Sequence, residues 1–402
     1  QLPQAGARAL ALGYATTAGS TGYAAVAANP AGLAFPTSSS FSLMVPGVGF
    51  EGGLGPVGLD DLARWEGQVV PDQVKEEWLR RIERAGRQSG PATLGATPLA
   101  VSIGPVGFQL STIAGGVLSL APDAAELLLY GNAGRTGEPA DFNLEGTRID
   151  GYALSTAALA YGRRALDRLY LGITAKYSVG HALAVGRNVT GVVTGDPVSV
   201  ELDIPLVTNR SGEGAGRLGS GFGIDLGALW EGDAFTLGAT VQNVVQTFAW
   251  SLDRLSYYPG TMIFDQEVSR NDFEEQPAEA APQSVRDVVD DFKPGPTFAL
   301  GAAYAGFNRW TIQADVRKRS SGGLPLGPEF QAAVGVEFRA FPFLPLRAHG
   351  AVVSDGVQFG GGAAVVAGPV HLSAAGAVRT GGVANTSLFT FSVSFVSEGR
   401  AR

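Results

Sequence analysis

The chain contains no cysteine, only three histidines and two methionines, and charged residues occupy 16% of its 402 positions. The absence of cysteine excludes disulfide scaffolds, thiol nucleophiles and cysteine-based zinc sites. A formal net charge of −8 argues against a nucleic-acid surface, because such a surface requires clustered lysine and arginine. No stretch reaches the roughly 18–20 consecutive apolar residues of a transmembrane helix, so any passage through a membrane would have to use strands.

Glycine is abundant instead, with 57 residues, and apolar residues make up 45% of the chain. This composition excludes a disordered or coiled-coil chain and disfavours a helix-rich enzyme. The chain begins at Gln1 without the basic and apolar segments of a signal peptide. We interpret it as a mature chain from which a secretory signal has been cleaved, and we expect an exported protein.

The strongest pattern is an alternation with period two. From Leu169 to Val179, large apolar residues occupy the odd positions, and small or polar residues occupy most of the even ones. The pattern recurs with short turns between the runs, which predicts an up-and-down meander. The predicted strands are 38–50, 96–104, 106–115, 150–162, 168–184, 218–230, 234–250, 296–305, 309–318, 329–340, 345–353, 357–366, 369–379 and 386–397. Weaker runs at 189–194 and 198–206 form either an extra hairpin outside the membrane or two more strands, giving sixteen.

Two architectures bury such strands: a soluble sandwich or barrel with its apolar face inside, and a membrane barrel with its apolar face in lipid. The second face is mostly glycine, alanine, serine and threonine, which suits a watery or plugged lumen better than a soluble exterior. We therefore predict an all-β fold, a 14-stranded antiparallel up-and-down transmembrane β-barrel with small helical inserts outside. This prediction requires Leu171, Ile312, Val334 and Phe391 to point outward.

Four charged residues lie on the predicted inward faces of two neighbouring strands. They are Asp315, Arg317, Glu337 and Arg339, and we expect them to form ion pairs in the lumen. The three histidines are isolated along the chain, so we expect no metal site and no cofactor. No nucleophile elbow, phosphate loop or dinucleotide fingerprint is present in the sequence, and we predict that the protein is not an enzyme.

Residues 38–402 form the predicted barrel, with long outer loops at about 51–95, 116–149 and 251–295. Residues 251–293 hold ten acidic residues against four basic ones. This acidic stretch is either a solvated surface or a site that captures a divalent cation. In the first loop, the pattern from Pro71 to Arg87 predicts an amphipathic helix, with Val74, Trp78, Leu79 and Ile82 on its apolar face. That face either caps the barrel mouth or docks a partner.

Residues 1–37 precede the first strand and are rich in alanine and glycine without alternation. The stretch Ala28-Asn29-Pro30-Ala31-Gly32-Leu33 resembles the N-terminal hatch of the long-chain fatty-acid transporter superfamily, which includes FadL-like and PorV-like outer-membrane barrels. The resemblance implies that residues 1–37 form a hatch inside a fourteen-stranded barrel. It also implies that Asn29, Pro30 and Ala31 form a turn that helps to gate a ligand path.

The resemblance implies a protein of the bacterial outer membrane, surrounded by outer-membrane lipids, that admits hydrophobic small molecules. The alternative is a sealed, PorV-like barrel that serves a secretion or surface-assembly machine by holding a secreted or surface protein partner. A third hypothesis, an outer-membrane hydrolase, requires clustered serine, histidine and aspartate side chains. An apolar cavity near the outer mouth, beside the hatch, would distinguish uptake from the sealed barrel.

Overall fold

In a computed structural model of the chain, the structure describes residues 3–4, 6–138, 140–187, 189–195, 199–211, 216–265 and 268–397. Gln1, Leu2, Ala5 and residues 398–402, which belong to the predicted hatch and barrel segments, lie outside the described residues. Among the described residues, no helix is long and apolar enough to span a membrane.

Fourteen antiparallel strands form a closed barrel, which confirms the predicted fold class. Each strand pairs with the next along the chain, and the last strand closes the barrel on the first, with Phe50 opposite Phe389. The strands are β1 (Phe41–Leu54), β2 (Gln88–Ile103), β3 (Val106–Leu120), β4 (Arg148–Leu166), β5 (Leu169–Gly186), β6 (Gly219–Glu231), β7 (Phe235–Gln246), β8 (Thr297–Phe307), β9 (Trp310–Arg319), β10 (Phe330–Phe341), β11 (Leu344–Val353), β12 (Gly356–Ala367), β13 (Val370–Thr380) and β14 (Asn385–Val396).

The large apolar side chains point out of the barrel, as predicted. Leu171, Val334 and Phe391 are each about half exposed, at 45%, 51% and 49%, and Ile312 is partly exposed. Polar residues at the alternate positions are buried inside. An exposed apolar band of this kind is stable only against hydrocarbon, so the strand alternation itself specifies a membrane-type barrel.

One end of the barrel carries short turns and the other carries long loops, hereafter the short-turn end and the long-loop end. The strands extend further into the long-loop end than predicted, so the loops expected at 51–95 and 116–149 span only 55–87 and 121–147. Alternation fades there because Gly52, Gly53 and Gly90 carry no side chain, yet strand pairing continues, with Gly52 opposite Ala92. The third loop spans 247–296, close to the predicted 251–295.

The weaker alternating runs lie outside the barrel wall, which leaves the strand count at fourteen. They belong to a separate five-stranded sheet above the long-loop end, formed by Phe142–Asn143, Thr190–Thr194, Ser199–Asp203, Thr261–Phe264 and Ser269–Asp272. The short strands Leu206–Asn209, Ala249–Trp250, Leu255–Tyr258 and Gln276–Pro277 extend one side of the wall.

Among the residues that the structure describes, six α-helices lie in the N-terminal segment or in the long loops. They are α1 (Ala7–Ala11), α2 (Ala25–Ala28), α3 (Leu59–Ala63), α4 (Asp72–Ala85), α5 (Pro122–Tyr130) and α6 (Gln283–Asp291). Short 3-10 turns occur at Gly22–Ala24, Pro30–Ala34, Gly131–Thr136, Leu252–Arg254 and Ala278–Ala280.

A hydrophobic core closes one side of the long-loop end. Val285 and Val289 of α6, together with Phe292, pack against Leu183 of β5 and against Leu324 from the β9–β10 loop. Trp250 donates its indole N–H to the Phe292 carbonyl at 2.7 Å. The acidic loop therefore folds back over β4–β6, because only the barrel wall offers its apolar residues a place to be buried.

Candidate functional site

The described residues of the N-terminal segment, 3–4 and 6–37, pack against the inner face of the barrel, and most of them are buried. Its backbone is hydrogen-bonded by polar side chains that point inward from separate strands. Ser392 accepts from the Ala7 N–H at 2.9 Å, while Gln331 donates to the Gly13 carbonyl at 2.9 Å and Gln242 donates to the Ala27 carbonyl at 2.8 Å. The polar inner face thus pairs the backbone of a segment with little regular structure of its own.

Glycines of the barrel wall let this segment approach the strands closely. Gly162, Gly172 and Gly227 stand opposite one another on β4, β5 and β6. A Cβ atom at Gly172 would lie 2.3 Å from the Ala31 nitrogen, and one at Gly162 would lie 2.7 Å from the Pro30 carbonyl oxygen. Only hydrogen at these three positions leaves room for the backbone of the turn, and we name the three glycines the glycine seat.

Asn29 holds the turn that rests on the glycine seat. Its fully buried side chain donates to the Thr17 carbonyl at 2.9 Å and to the Ala228 carbonyl at 3.0 Å. The same side chain accepts from the Ala31 N–H at 3.2 Å, where Pro30 begins a 3-10 turn. One amide therefore links two parts of the segment to β6, and Asn29, Pro30 and Ala31 form a single tightly packed unit.

The four charged residues that were expected to form lumen ion pairs do not lie in a single cluster, and they have different partners. Asp315 accepts hydrogen bonds from the backbone N–H groups of Thr16 and Thr17 at 3.0 and 2.9 Å, so it anchors the N-terminal segment. Arg317 forms no ion pair within the described part of the chain. Glu337 and Arg339 do pair, at 2.7 Å.

Glu337 is the centre of a larger cluster near the short-turn end. Its carboxylate is 1% exposed and accepts from the Nε atoms of Arg8 at 3.1 Å and Arg347 at 2.8 Å, in addition to Arg339. Arg8 lies on α1, so the cluster also ties the N-terminal segment to β10. Arg8 and Arg347 escaped the sequence analysis because neither lies beside Glu337 in sequence, although register places Arg347 directly opposite it.

A cavity of about 590 Å³ lies between the N-terminal segment and the long-loop end. Its floor includes Pro3, Leu10 and Tyr14, and its roof includes residues 325–329 of the β9–β10 loop. The walls come from β1–β4 on one side and from β9, β10, β13 and β14 on the other. Glycines and apolar residues line much of it, so it is a pocket of ligand size beside the predicted hatch.

Four arginines also border this cavity, Arg87, Arg317, Arg319 and Arg379. Arg319 donates to four carbonyls of residues 320–327 and so folds the roof, while Arg379 pairs with Glu51 at 2.8 Å. Arg317 forms no ion pair within the described residues, and it adds a positive charge to the wall. The sequence analysis expected ion pairs among Asp315, Arg317, Glu337 and Arg339 and so missed this role for Arg317. The available signal was its place on the same inward face of β9 as Asp315.

The predicted amphipathic helix is present as α4, and its apolar face packs onto the outer loops. Trp78, Leu79 and Ile82 are buried and Val74 is partly buried. Trp78 and Ile82 contact Val57 and also Ala125 and Leu129 of α5. The four predicted residues thus help to join loops 55–87 and 121–147. We call these two loops the cap.

Arg81 links α4 to α3 through Asp61, with 2.7 Å between their nearest side-chain atoms. This hydrogen bond lowers the pKa of Asp61 below its ordinary value. A carboxyl group with a depressed folded-state pKa stabilises the fold above its unfolded pKa and loses that contribution as the pH falls through the folded value.

We expect hydrogen exchange in residues 55–87 to accelerate below about pH 4, the ordinary aspartate range. Exchange rates are compared with the intrinsic rates at each pH. In D61N, residues 55–87 should exchange fast already at neutral pH, and the acid dependence should be lost. E76Q, which breaks the exposed Arg80–Glu76 pair, is the matched control and should behave like the unsubstituted protein. Equal acid dependence in D61N and the unsubstituted protein would contradict the assignment.

The barrel, the enclosed N-terminal segment and the cavity together define a FadL-like outer-membrane barrel fold. The Ralstonia pickettii toluene transporter TbuX is 11% identical, with 99% of each chain covered and a TM-score of 0.56. A Pseudomonas aeruginosa FadL homologue is 13% identical, covering 98% of this chain and 99% of its own, with a TM-score of 0.54. The Pseudomonas putida toluene transporter TodX is 13% identical, with 99% of each chain covered and a TM-score of 0.52.

By sequence, the chain belongs to a family of unknown function, DUF5723, whose model matches residues 34–374. No curated protein matches the chain. The structural likenesses, at such low identity, show the shared fold. The family match ends within β13, so it leaves out the rest of that strand, β14 and most of the N-terminal segment.

Proposed function

We propose that this protein is a channel of the bacterial outer membrane that admits hydrophobic small molecules from the long-loop end. The observation that carries this function is the cavity of about 590 Å³ between the long loops and the N-terminal segment. Tyr14, Ile113, Val117 and Leu388 give it apolar walls. Transport of toluene by the structurally similar TbuX and TodX supports the same class of cargo.

In this proposal the N-terminal segment is the hatch. The Asn29 turn is its fixed part, because the glycine seat and three side-chain hydrogen bonds hold it against β4–β6. The part that separates the cavity from the short-turn end comprises residues 3–4 and 6–14. Gly13 and Tyr14, both with positive φ, form a sharp bend at its end. Movement of this part would open the cavity toward the periplasm.

Filling the cavity tests the proposal. Gly95 faces the cavity, and a Cβ atom there would have 4.0 Å to its nearest neighbour, so G95F places a ring in the cavity without displacing the wall. Because overpacking an apolar site costs about 1–3 kcal/mol, we expect roughly tenfold weaker binding of a hydrophobic ligand. The measurement is radiolabelled toluene uptake by cells that express the protein and lack other hydrocarbon channels, together with toluene binding to the purified barrel.

The matched control is G151F, on β4, where the added ring points out of the barrel and its Cβ atom makes only ordinary contacts. Uptake above that of cells without the protein, lost in G95F and kept in G151F, supports the channel. Uptake in the unsubstituted protein no greater than in cells without it contradicts hydrocarbon transport.

The second candidate is a sealed barrel that holds a secreted or surface protein. The hydrophobic core formed by α6 and the β9–β10 loop favours it, because this core closes one side of the long-loop end. A stoichiometric partner that co-purifies with the barrel and protects the cap from protease would support this function, and its absence together with toluene uptake would exclude it.

A further inference from the structure

The cluster at the short-turn end carries more positive charge than it neutralises. Arg8, Arg339 and Arg347 all contact the single carboxylate of Glu337. No other acid pairs with these arginines in the part of the chain that the structure describes. Three guanidinium groups against one carboxylate leave a surplus of two positive charges, and the Arg347 group among them is buried. A buried positive charge is costly unless an anion offsets it.

The hydrogen-bonding capacity of the cluster is also only partly used. The Arg347 side chain is 7% exposed, and its Nε–H is the group that bonds Glu337. Its two terminal nitrogens donate to no protein atom among the described residues. Arg339 uses Nε and one terminal nitrogen on Glu337 and is 63% exposed, so it is open to the solvent at the short-turn end. A buried guanidinium with free donors, beside an exposed one, is suited to hold an oxyanion.

Two neighbouring residues complete the surroundings of the arginine cluster. His371 lies on the inner face of β13 near the same end, close enough to interact electrostatically with Arg339 and Arg347. Arg8 also donates to the Gly19 carbonyl at 3.4 Å and to the Gln313 side-chain oxygen at 2.9 Å, so its terminal nitrogens are used within the lumen. An anion entering from the short-turn end would therefore meet Arg339 first and Arg347 behind it.

We propose that Arg339 and Arg347 form an oxyanion-binding site at the short-turn end, with Glu337 as the internal acid that orients both guanidinium groups. The ligand is a phosphate-type group, either free or as the headgroup of an anionic lipid. This site lies at the opposite end of the lumen from the cavity, and it does not depend on the proposed transport of hydrophobic molecules. An anion there would lie beside Arg8 and so would strengthen the hold on the N-terminal segment.

The test uses the whole purified protein in nanodiscs of zwitterionic phosphatidylcholine, with inorganic phosphate as the probe and isothermal titration calorimetry as the measurement. We expect saturable binding of one phosphate, weakened roughly tenfold or more in R347Q, because a hydrogen bond to a charged group is lost. R339Q should also weaken binding, and it keeps the site testable if R347Q does not fold. R164Q, which alters an exposed arginine near the end of β4, is the matched control and should bind as the unsubstituted protein does.

The source of the oxyanion is determined by repeating the titration in nanodiscs that contain phosphatidylglycerol. Weaker apparent phosphate binding there, with the difference abolished in R339Q, identifies the lipid headgroup as a competing ligand. Unchanged binding identifies the free ion. Absence of saturable binding, or an equal loss in R164Q and R347Q, would overturn the proposal, and neither result would bear on toluene uptake.

Discussion

Replacing Glu337 by glutamine is expected to lower the free energy of unfolding by about 3–5 kcal/mol, the cost of leaving buried cations without their counter-charge. The carboxylate is 1% exposed and accepts hydrogen bonds from three arginines, two of which have side chains less than one-third exposed. Glutamine keeps the size of the side chain but removes the negative charge. Two of the four donors now bonded to the carboxylate oxygens would also have to face an amide N–H₂ group.

The measurement is reversible unfolding of the barrel from lipid vesicles in guanidinium chloride, followed by tryptophan fluorescence. D233N is the matched control, because Asp233 pairs with Arg168 at 3.0 Å while both side chains are mostly exposed. Exposed pairs contribute at most about 1 kcal/mol, so D233N should stay close to the unsubstituted protein. If E337Q and D233N unfold at the same guanidinium concentration, the Glu337 carboxylate does not stabilise the arginine cluster at the short-turn end.

The second large effect is expected at the glycine seat. In G172A the new Cβ atom would lie 2.3 Å from the Ala31 nitrogen and from the Pro30 carbonyl carbon. Both atoms are backbone, and Asn29 holds them from the other side, so neither can move without breaking buried hydrogen bonds. We expect either a loss of roughly 3 kcal/mol of stability, at the upper end for overpacking, or displacement of the N-terminal segment from the lumen.

Ion conductance in planar bilayers distinguishes these two results. A displaced segment leaves a water-filled lumen, so the conductance of each barrel should rise, whereas a segment that stays in place leaves conductance low and lowers the guanidinium midpoint. G95A is the matched control, because its Cβ atom would have 4.0 Å of space on the same inner surface. Were G172A to match G95A in both conductance and stability, the close approach of the turn to the wall would be refuted.

Much of the architecture was predictable because strand alternation is a local property. Residues 169–179 show their two faces without any knowledge of the neighbouring strands, and the short turns between runs then indicate a meander. The same reasoning failed at the long-loop end of β1 and β2. Glycines there remove the side chains that carry the pattern, while backbone pairing continues to Leu54 and from Gln88 onward.

The charged residues inside the barrel show the limit of this reasoning. Asp315 and Arg317 were expected to take part in lumen ion pairs with Glu337 and Arg339, because all four lie on the inward faces of neighbouring strands. In the folded chain, Asp315 instead accepts hydrogen bonds from the backbone N–H groups of Thr16 and Thr17. These two residues lie about 300 positions earlier in the sequence. Whether an inward charge meets another side chain, a backbone N–H or a cavity depends on the path of the N-terminal segment, which has no alternation of its own.

The sequence by itself determined the class of barrel: it specifies which residues face hydrocarbon and which end carries the long loops, whereas the choice between fourteen and sixteen strands needed the structure. These properties follow from hydrophobic periodicity and turn residues within about twenty positions of each other. Only the tertiary structure decided what fills the lumen. The glycine seat, the three arginines around Glu337 and the cavity above residues 3–14 all join positions far apart in the chain, and their geometry arises when the closed wall and the enclosed segment satisfy each other's polar groups.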